Sequence, residues 1–248
     1  MTTNADTDIT ILRFVERSPT PVSWYNARYL DVGTYGTPVA ALRALHQRGL
    51  LEEVPAQPHP RYRLTEAGTE LLRTHRRALM ERLDALTHNR LSTDDALDAI
   101  QTFGEERFEQ ARPALDALLT SADPRLRAAA LRTLVGRWHL ADETYWDSAC
   151  RFLQSDSNVE CKIAGAAMLG VMGLLGTPQR AERTLAVLAP VVRIGDEEGV
   201  VRQSAYSAMR AIVRHDPQEQ IKWVGKPIEQ LPDVDWQLVD QYATHTAN

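Results

Sequence analysis

Three segments of this chain repeat one pattern, and that repetition limits the fold more than any other feature. The segments open at Asp123-Pro124-Arg125-Leu126-Arg127, at Asp156-Ser157-Asn158-Val159-Glu160, and at Asp196-Glu197-Glu198-Gly199-Val200-Val201-Arg202. Each has an acidic turn, then an aliphatic residue with a charged neighbour, then small residues such as Ala128, Ala164 and Ala205. Leu126, Val159 and Val201 are spaced by 33 and 42 residues. An amphipathic helix is predicted before each segment, over 107–119, 143–153 and 180–192. A single helix pair cannot bury its apolar face, so the pairs are expected to stack, with flanking helices at 94–100 and from Gln218 onward as caps.

Paired helices at this period resemble HEAT repeats, whose second helix follows an acidic turn and a Val-Arg pair. Val201-Arg202 with Ala205 fits that signature best, and Glu160 departs from it, standing where arginine is expected. The resemblance covers about residues 105–215. It implies an α-solenoid over 91–248 with a surface for a protein partner or for self-association. Arg125, Arg127 and Arg132 are candidates for a local basic strip or for an ordinary charged face.

The N-terminal part reads differently. Asp8 is expected to cap a helix carrying Ile9, Leu12 and Val15, and Ser18-Pro19-Thr20-Pro21 ends it. A short second helix is expected from Trp24 to Leu30, then a turn through Gly33 and Gly36. Thr37 followed by Pro38 is a strong helix start: a capping hydroxyl with proline at the first helical position. Val39, Leu42 and Leu45 form its apolar face, and Thr37, Ala40, Ala44 and Gln47 the opposite one, flanked by Arg43. Gly49 suits the helix end. Strands at 51–54 and 61–64 follow, joined by the proline-rich tip Pro55 to Pro60. Alternation turns Tyr62 and Leu64 inward and Arg61 and Arg63 outward. Thr65 then caps a long helix to about His88, with Leu72, Leu79 and Leu86 at heptad spacing. That stripe either packs within the chain or pairs with its twin in a homodimer.

The run Ala41 to Leu51, with Arg61-Tyr62-Arg63-Leu64-Thr65-Glu66-Ala67-Gly68, resembles the winged helix-turn-helix of MarR and PadR regulators. The resemblance covers about a third of the chain. It implies a DNA-binding domain over 8–90, with the 37–48 helix in the major groove and the hairpin as a wing on the backbone. Thr34, Tyr35, Thr37, Arg43 and Gln47 are the candidate contacts of the helix and its approach, and Arg61 and Arg63 those of the wing. The helix offers few base-reading side chains, so backbone contact with double-stranded DNA is the firmer expectation. A winged helix also serves as a protein-binding module, so a non-catalytic scaffold in which both parts bind protein stays open.

Charge agrees with this division. Residues 1–90 hold 12 arginines against 10 acids, net +2, and the remainder holds 16 basic residues against 23 acids, net −7. Positive charge therefore sits where DNA is expected and negative charge where it is not. No stretch reads as a membrane span or secretory signal, and two cysteines in 248 residues suit a reducing compartment, so a cytoplasmic protein is expected. No nucleotide-binding or hydrolase motif is present, and neither enzyme activity nor a cofactor is expected. His139, Asp142 and Glu143 form a small cluster that reads as a capped turn more readily than a metal site. A rival reading comes from HEAT-like alkylpurine DNA glycosylases, which excise damaged bases with an acid and tryptophans. Trp138, Trp146 and Asp147 have those residue types. The expectation as a whole is a mainly α protein: a winged helix-turn-helix with a short β-hairpin wing, followed by an α-solenoid of HEAT-like helix pairs.

Overall fold

The structure is a computed structural model of the 248-residue chain, and it describes residues 4–23, 25–28, 30, 32, 35–193 and 198–243. It is mainly helical, with one small antiparallel sheet among the described residues. The chain divides into two compact units, Met1–Asp84 and Ala85–Asn248. The division falls inside the helix Glu66–Thr87.

The first unit opens with α1, Asn4–Arg17. The expectation that Asp8 caps this helix is corrected: the helix starts at Asn4, and Asp8 lies one turn inside it and is buried. Ile9, Ile11, Leu12 and Val15 pack into the core. The Ser18 hydroxyl closes the helix on the Phe14 carbonyl (2.8 Å), and Pro19 follows. Val22 then forms a two-way backbone bridge with Tyr62: the Val22 N–H donates at 2.8 Å and the Tyr62 N–H at 2.7 Å. Of the expected second helix, residues 25–28 form a hydrogen-bonded turn, held as Asn26 Oδ1 accepts from the Ser23 hydroxyl at 2.7 Å. Trp24 lies outside the described residues.

Helix α2 is Pro38–Gln47, and the Thr37 side chain accepts from the Ala40 N–H. Its buried side is Ala41, Leu42 and Leu45, with Val39 at the margin. Gly49, at φ 71°, turns the chain away from the helix end. Strands β1, Leu51–Val54, and β2, Arg61–Leu64, pair Leu51 with Leu64, Glu52 with Arg63, Glu53 with Tyr62 and Val54 with Arg61. Thr65 donates to the Gly49 carbonyl (2.7 Å) and accepts from the Gly68 N–H (3.0 Å), so one hydroxyl joins the end of α2 to the next helix. That helix is α3, Glu66–Thr87. It passes so near the Leu50 carbonyl that a Cβ at Gly68 would lie 2.2 Å from the oxygen. Leu72, Leu79 and Leu86 are all buried in the single chain, so the heptad stripe is already covered without a twin.

The second unit is mainly helical. Helix α4 is Thr93–Glu105, α5 Arg112–Leu118, α6 Pro124–Leu131, α7 Glu143–Ser155, α8 Val159–Leu175, α9 Pro178–Arg193 and α10 Gly199–Arg214. Helices α11, Gln218–Ile221, and α12, Trp236–Ala243, follow. Helix α8 is the hub and packs against α6, α7, α9 and α10, while α4 meets α6 and α12 meets α9. The approach of α8 to α7 needs Gly165, where a Cβ would sit 2.6 Å from the Ala149 carbonyl oxygen. The helix expected from Arg107 begins at Arg112 instead, after Arg107 itself takes φ 45°. Pro113 accounts for the shift: it has no N–H to donate, so it belongs in a first turn.

The acidic turns of the repeated segments act as caps. Asp123 accepts from the Arg125 N–H (2.8 Å) at the start of α6. Asp156 accepts from the Asn158 N–H (2.9 Å), and Asn158 in turn caps α8. Asp196 and Glu197 of the third segment lie outside the described residues. Arg127 of α6 reaches across to Asp156 at 2.8 Å and 2.9 Å, joining one turn to the next. Burial alone would raise the Asp156 carboxyl, yet the Asn158 amide and the Arg127 guanidinium outweigh it and hold it below its ordinary value. Glu160, standing where the pattern has arginine, takes Arg132 at 3.0 Å, and Arg202, at the matching position of α10, donates to Glu229 at 2.6 Å and to the Val192 carbonyl. No described helix is long and apolar enough to cross a membrane.

Candidate nucleic-acid interface

Helix α2 presents two sides because its apolar residues fall on a helical period. With Ala41, Leu42 and Leu45 buried, Ala40, Arg43 and Gln47 are exposed together at spacings of three and four. Thr37 is exposed at the head of the helix, its oxygen accepting the capping bond and its proton still available. Arg43 is near enough to the Tyr62 phenol to act on its ionisation. Burial raises the Tyr62 phenol above its ordinary value, Glu53 adds to this, and Arg43 opposes both.

The wing residues are not equivalent. Arg61 and Arg63 are both exposed on β2, with buried Tyr62 between them. Arg63 is ion-paired to Glu52 on the facing strand. Arg61 has no acidic partner among the described residues. Thr34 lies outside the described residues. Tyr35 holds the fold together instead, its hydroxyl donating to Asp8 at 2.6 Å. Thr37, Arg43 and Gln47 are thus exposed on α2, and Arg61 and Arg63 on β2 with Glu52 beside Arg63, while Tyr35 is held by Asp8.

The group that holds Tyr35 is not among the residues that motif and spacing single out. Asp8 is 3% exposed inside α1, yet it accepts from Tyr35 and from Arg48, whose Nη1 lies 2.5 Å away. Arg48 also reaches the Tyr35 oxygen at 3.4 Å. The bond to Asp8 raises the Arg48 guanidinium, and burial beside Asp8 raises the Tyr35 phenol. This triad fixes both ends of the 35–48 segment to α1. A signal for it exists in the sequence: Asp8, Leu12 and Val15 share one helical stripe, so a carboxylate on that stripe calls for a buried donor. Two further basic features carry no such signal. Arg28 stacks 3.8 Å over the ring of Tyr25, which is 57% exposed. Arg13 is lowered by burial and by the neighbouring charges of Arg17 and Arg76, with Glu16 only partly compensating.

In the second unit, the arginines considered as a basic strip all have acidic partners. Arg125 takes Asp94 at 2.7 Å, Arg127 takes Asp156, and Arg132 takes Glu160. Trp138 and Trp146 are buried, at 3% and 7% exposure, so as they stand neither indole is open for a base to stack on, while Asp147 is exposed. Asp142 caps α7 and Glu143 holds Arg180 and Arg183 at 2.7 Å and 2.9 Å. No group of three potential metal ligands occurs among the described residues. No family model matches this chain, and neither a curated protein nor a solved structure proves similar to it.

Proposed function

We propose that the first unit is a winged helix-turn-helix that binds double-stranded DNA as part of a transcriptional regulator. In the same reading the second unit is a HEAT-like solenoid that receives a protein. The observation that carries the DNA reading is the exposed set Arg43, Gln47 and Arg61 on a helix and an adjoining strand, two of them cations without an acidic partner among the described residues. Small Ala40 lets the helix approach a groove wall. Arg43 and Gln47 are the types that read guanine and adenine edges, and Arg61 suits a phosphate. Arg63 joins by giving up Glu52, an exposed pair worth only about 0–1 kcal/mol. The Val22–Tyr62 bridge supports the reading because it anchors the hairpin to the segment that follows α1.

The test is a titration of labelled duplex DNA followed by fluorescence anisotropy at several salt concentrations. Affinity should fall steeply with salt, and replacing Arg43, Arg61 and Arg63 together by Ala should abolish measurable binding. Binding that survives the triple replacement would sink this surface. The alternative scaffold, in which both units bind protein, is favoured by Glu52 and Glu53 on β1, which put two carboxylates into the hairpin. It predicts no DNA affinity even at low salt.

A further inference from the structure

Two adjoining cavities lie between α5 and α7, of about 430 Å3 and about 360 Å3, and they share Leu119, Thr120 and Arg151. Their size is that of a ligand site. The two ends of the groove are electrically closed. At one end Arg112 lies 3.5 Å from Asp142 and donates to the Tyr145 hydroxyl at 3.0 Å, which donates onward to Asp116 at 2.8 Å. At the other end Arg127 holds Asp156. The middle is not closed: Arg151 is exposed and has no acidic partner among the described residues.

The hydroxyls beside Arg151 narrow the ligand class. Thr120 donates to the Ala117 carbonyl at 3.1 Å, and Ser148 donates to the Thr144 carbonyl at 2.9 Å. With their protons given to carbonyls three and four residues back, they have only lone pairs left for a ligand. The groove therefore offers one unpaired guanidinium and hydroxyls that can accept. A DNA backbone carries anions but no hydrogen-bond donors, so it would meet Arg151 and leave those acceptors unmet. A peptide with an acidic side chain supplies both, a carboxylate for Arg151 and amide N–H groups for the hydroxyls.

We propose that this groove binds an extended segment of a partner protein, with an Asp or Glu side chain on Arg151 and backbone amides on Thr120 and Ser148. The proposal rests on the solenoid as a protein-binding element and specifies where the partner sits and what chemistry it carries. A random displayed peptide library selected on the full chain tests it, with the Arg151→Glu chain as counter-selection. The expected winners carry an acid at one fixed position. A synthetic winner should lose about tenfold or more in affinity when that acid becomes its amide or when Arg151 becomes Ala. Lys at the peptide position should restore binding to Arg151→Glu. Thr120→Val should weaken binding while the need for the acid persists. No enrichment, winners without an acid, binding indifferent to Arg151, or Arg151-dependent binding of a DNA duplex would each overturn the proposal. DNA binding through Arg43 and Arg61 is scored in a separate assay, so either reading can fail while the other stands.

Discussion

Arg43 and Arg61 of the first unit are placed differently from the arginines that join the helices of the second. In the helix stack, Arg125, Arg127, Arg132 and Arg202 each end on a carboxylate of a neighbouring turn or helix. On α2 and β2, Arg43 and Arg61 have no acidic partner among the described residues. A paired guanidinium holds helices together and is poorly placed to attract an outside anion. An unpaired one adds little to folding and keeps its field for a partner. Pairing thus separates arginines that join the fold from those left open for the proposed DNA contact.

The largest effect that bears on this contrast is expected at Arg127, whose side chain is only 16% exposed and whose partner Asp156 is 10% exposed. Arg127→Ala should cost about 2–4 kcal/mol by denaturant unfolding, since it strands a nearly buried carboxylate. Arg125→Ala, which breaks an exposed pair, should cost under about 1 kcal/mol. Equal losses would show that burial is not what ranks them. Next in size is the recognising pair. Arg43→Ala with Arg61→Ala should weaken DNA binding by about tenfold to a hundredfold and lower the salt slope by about 2, whereas Arg125→Ala with Arg132→Ala should leave both as they are. An unchanged slope would remove α2 and the hairpin from the interface.

The Asp8 triad should give a smaller effect on stability. Asp8→Ala leaves the Tyr35 hydroxyl and Arg48 without their acceptor and should cost about 1–3 kcal/mol, read by thermal or denaturant melting. The smallest effect is a pH dependence. Asp156 and Asp123 are both held below the ordinary carboxylate value of 3.8. Their contribution is complete above that value and is lost as pH falls through the lower, folded-state values. Stability of the wild-type chain should therefore drop below about pH 4, and Asp156→Asn should flatten part of that drop. Burial pushes the Cys150 thiol to about 12 and Cys161 to about 11. A thiol-alkylating reagent should accordingly leave both unmodified until the chain unfolds.

Local patterning makes much of this fold readable. Thr37-Pro38, the 51–54 and 61–64 strands and the helix from Thr65 follow from capping, proline placement and alternation, and each is decided within a few residues. The start of α5 obeys Pro113 and not the apolar period, which runs on upstream of it. Long-range polar pairing is the harder part. Nothing near Arg63 in sequence announces Glu52, which reaches it only through the strand register. The same holds for Arg125 and Asp94, or Arg132 and Glu160, which meet across helix pairs. Residue type identifies the candidate cations, but only register and packing decide which of them are already occupied.

The Asp8 triad has a consequence for how such a chain can change. Tyr35 and Arg48 lie 27 and 40 residues from Asp8 and yet satisfy one carboxylate. Drift at any one of the three leaves the other two in an environment made for a missing partner. Related chains should therefore keep all three or replace them together, with an apolar residue arriving at position 8 when the donors go. Three letters scattered over forty positions would then be inherited as a single character.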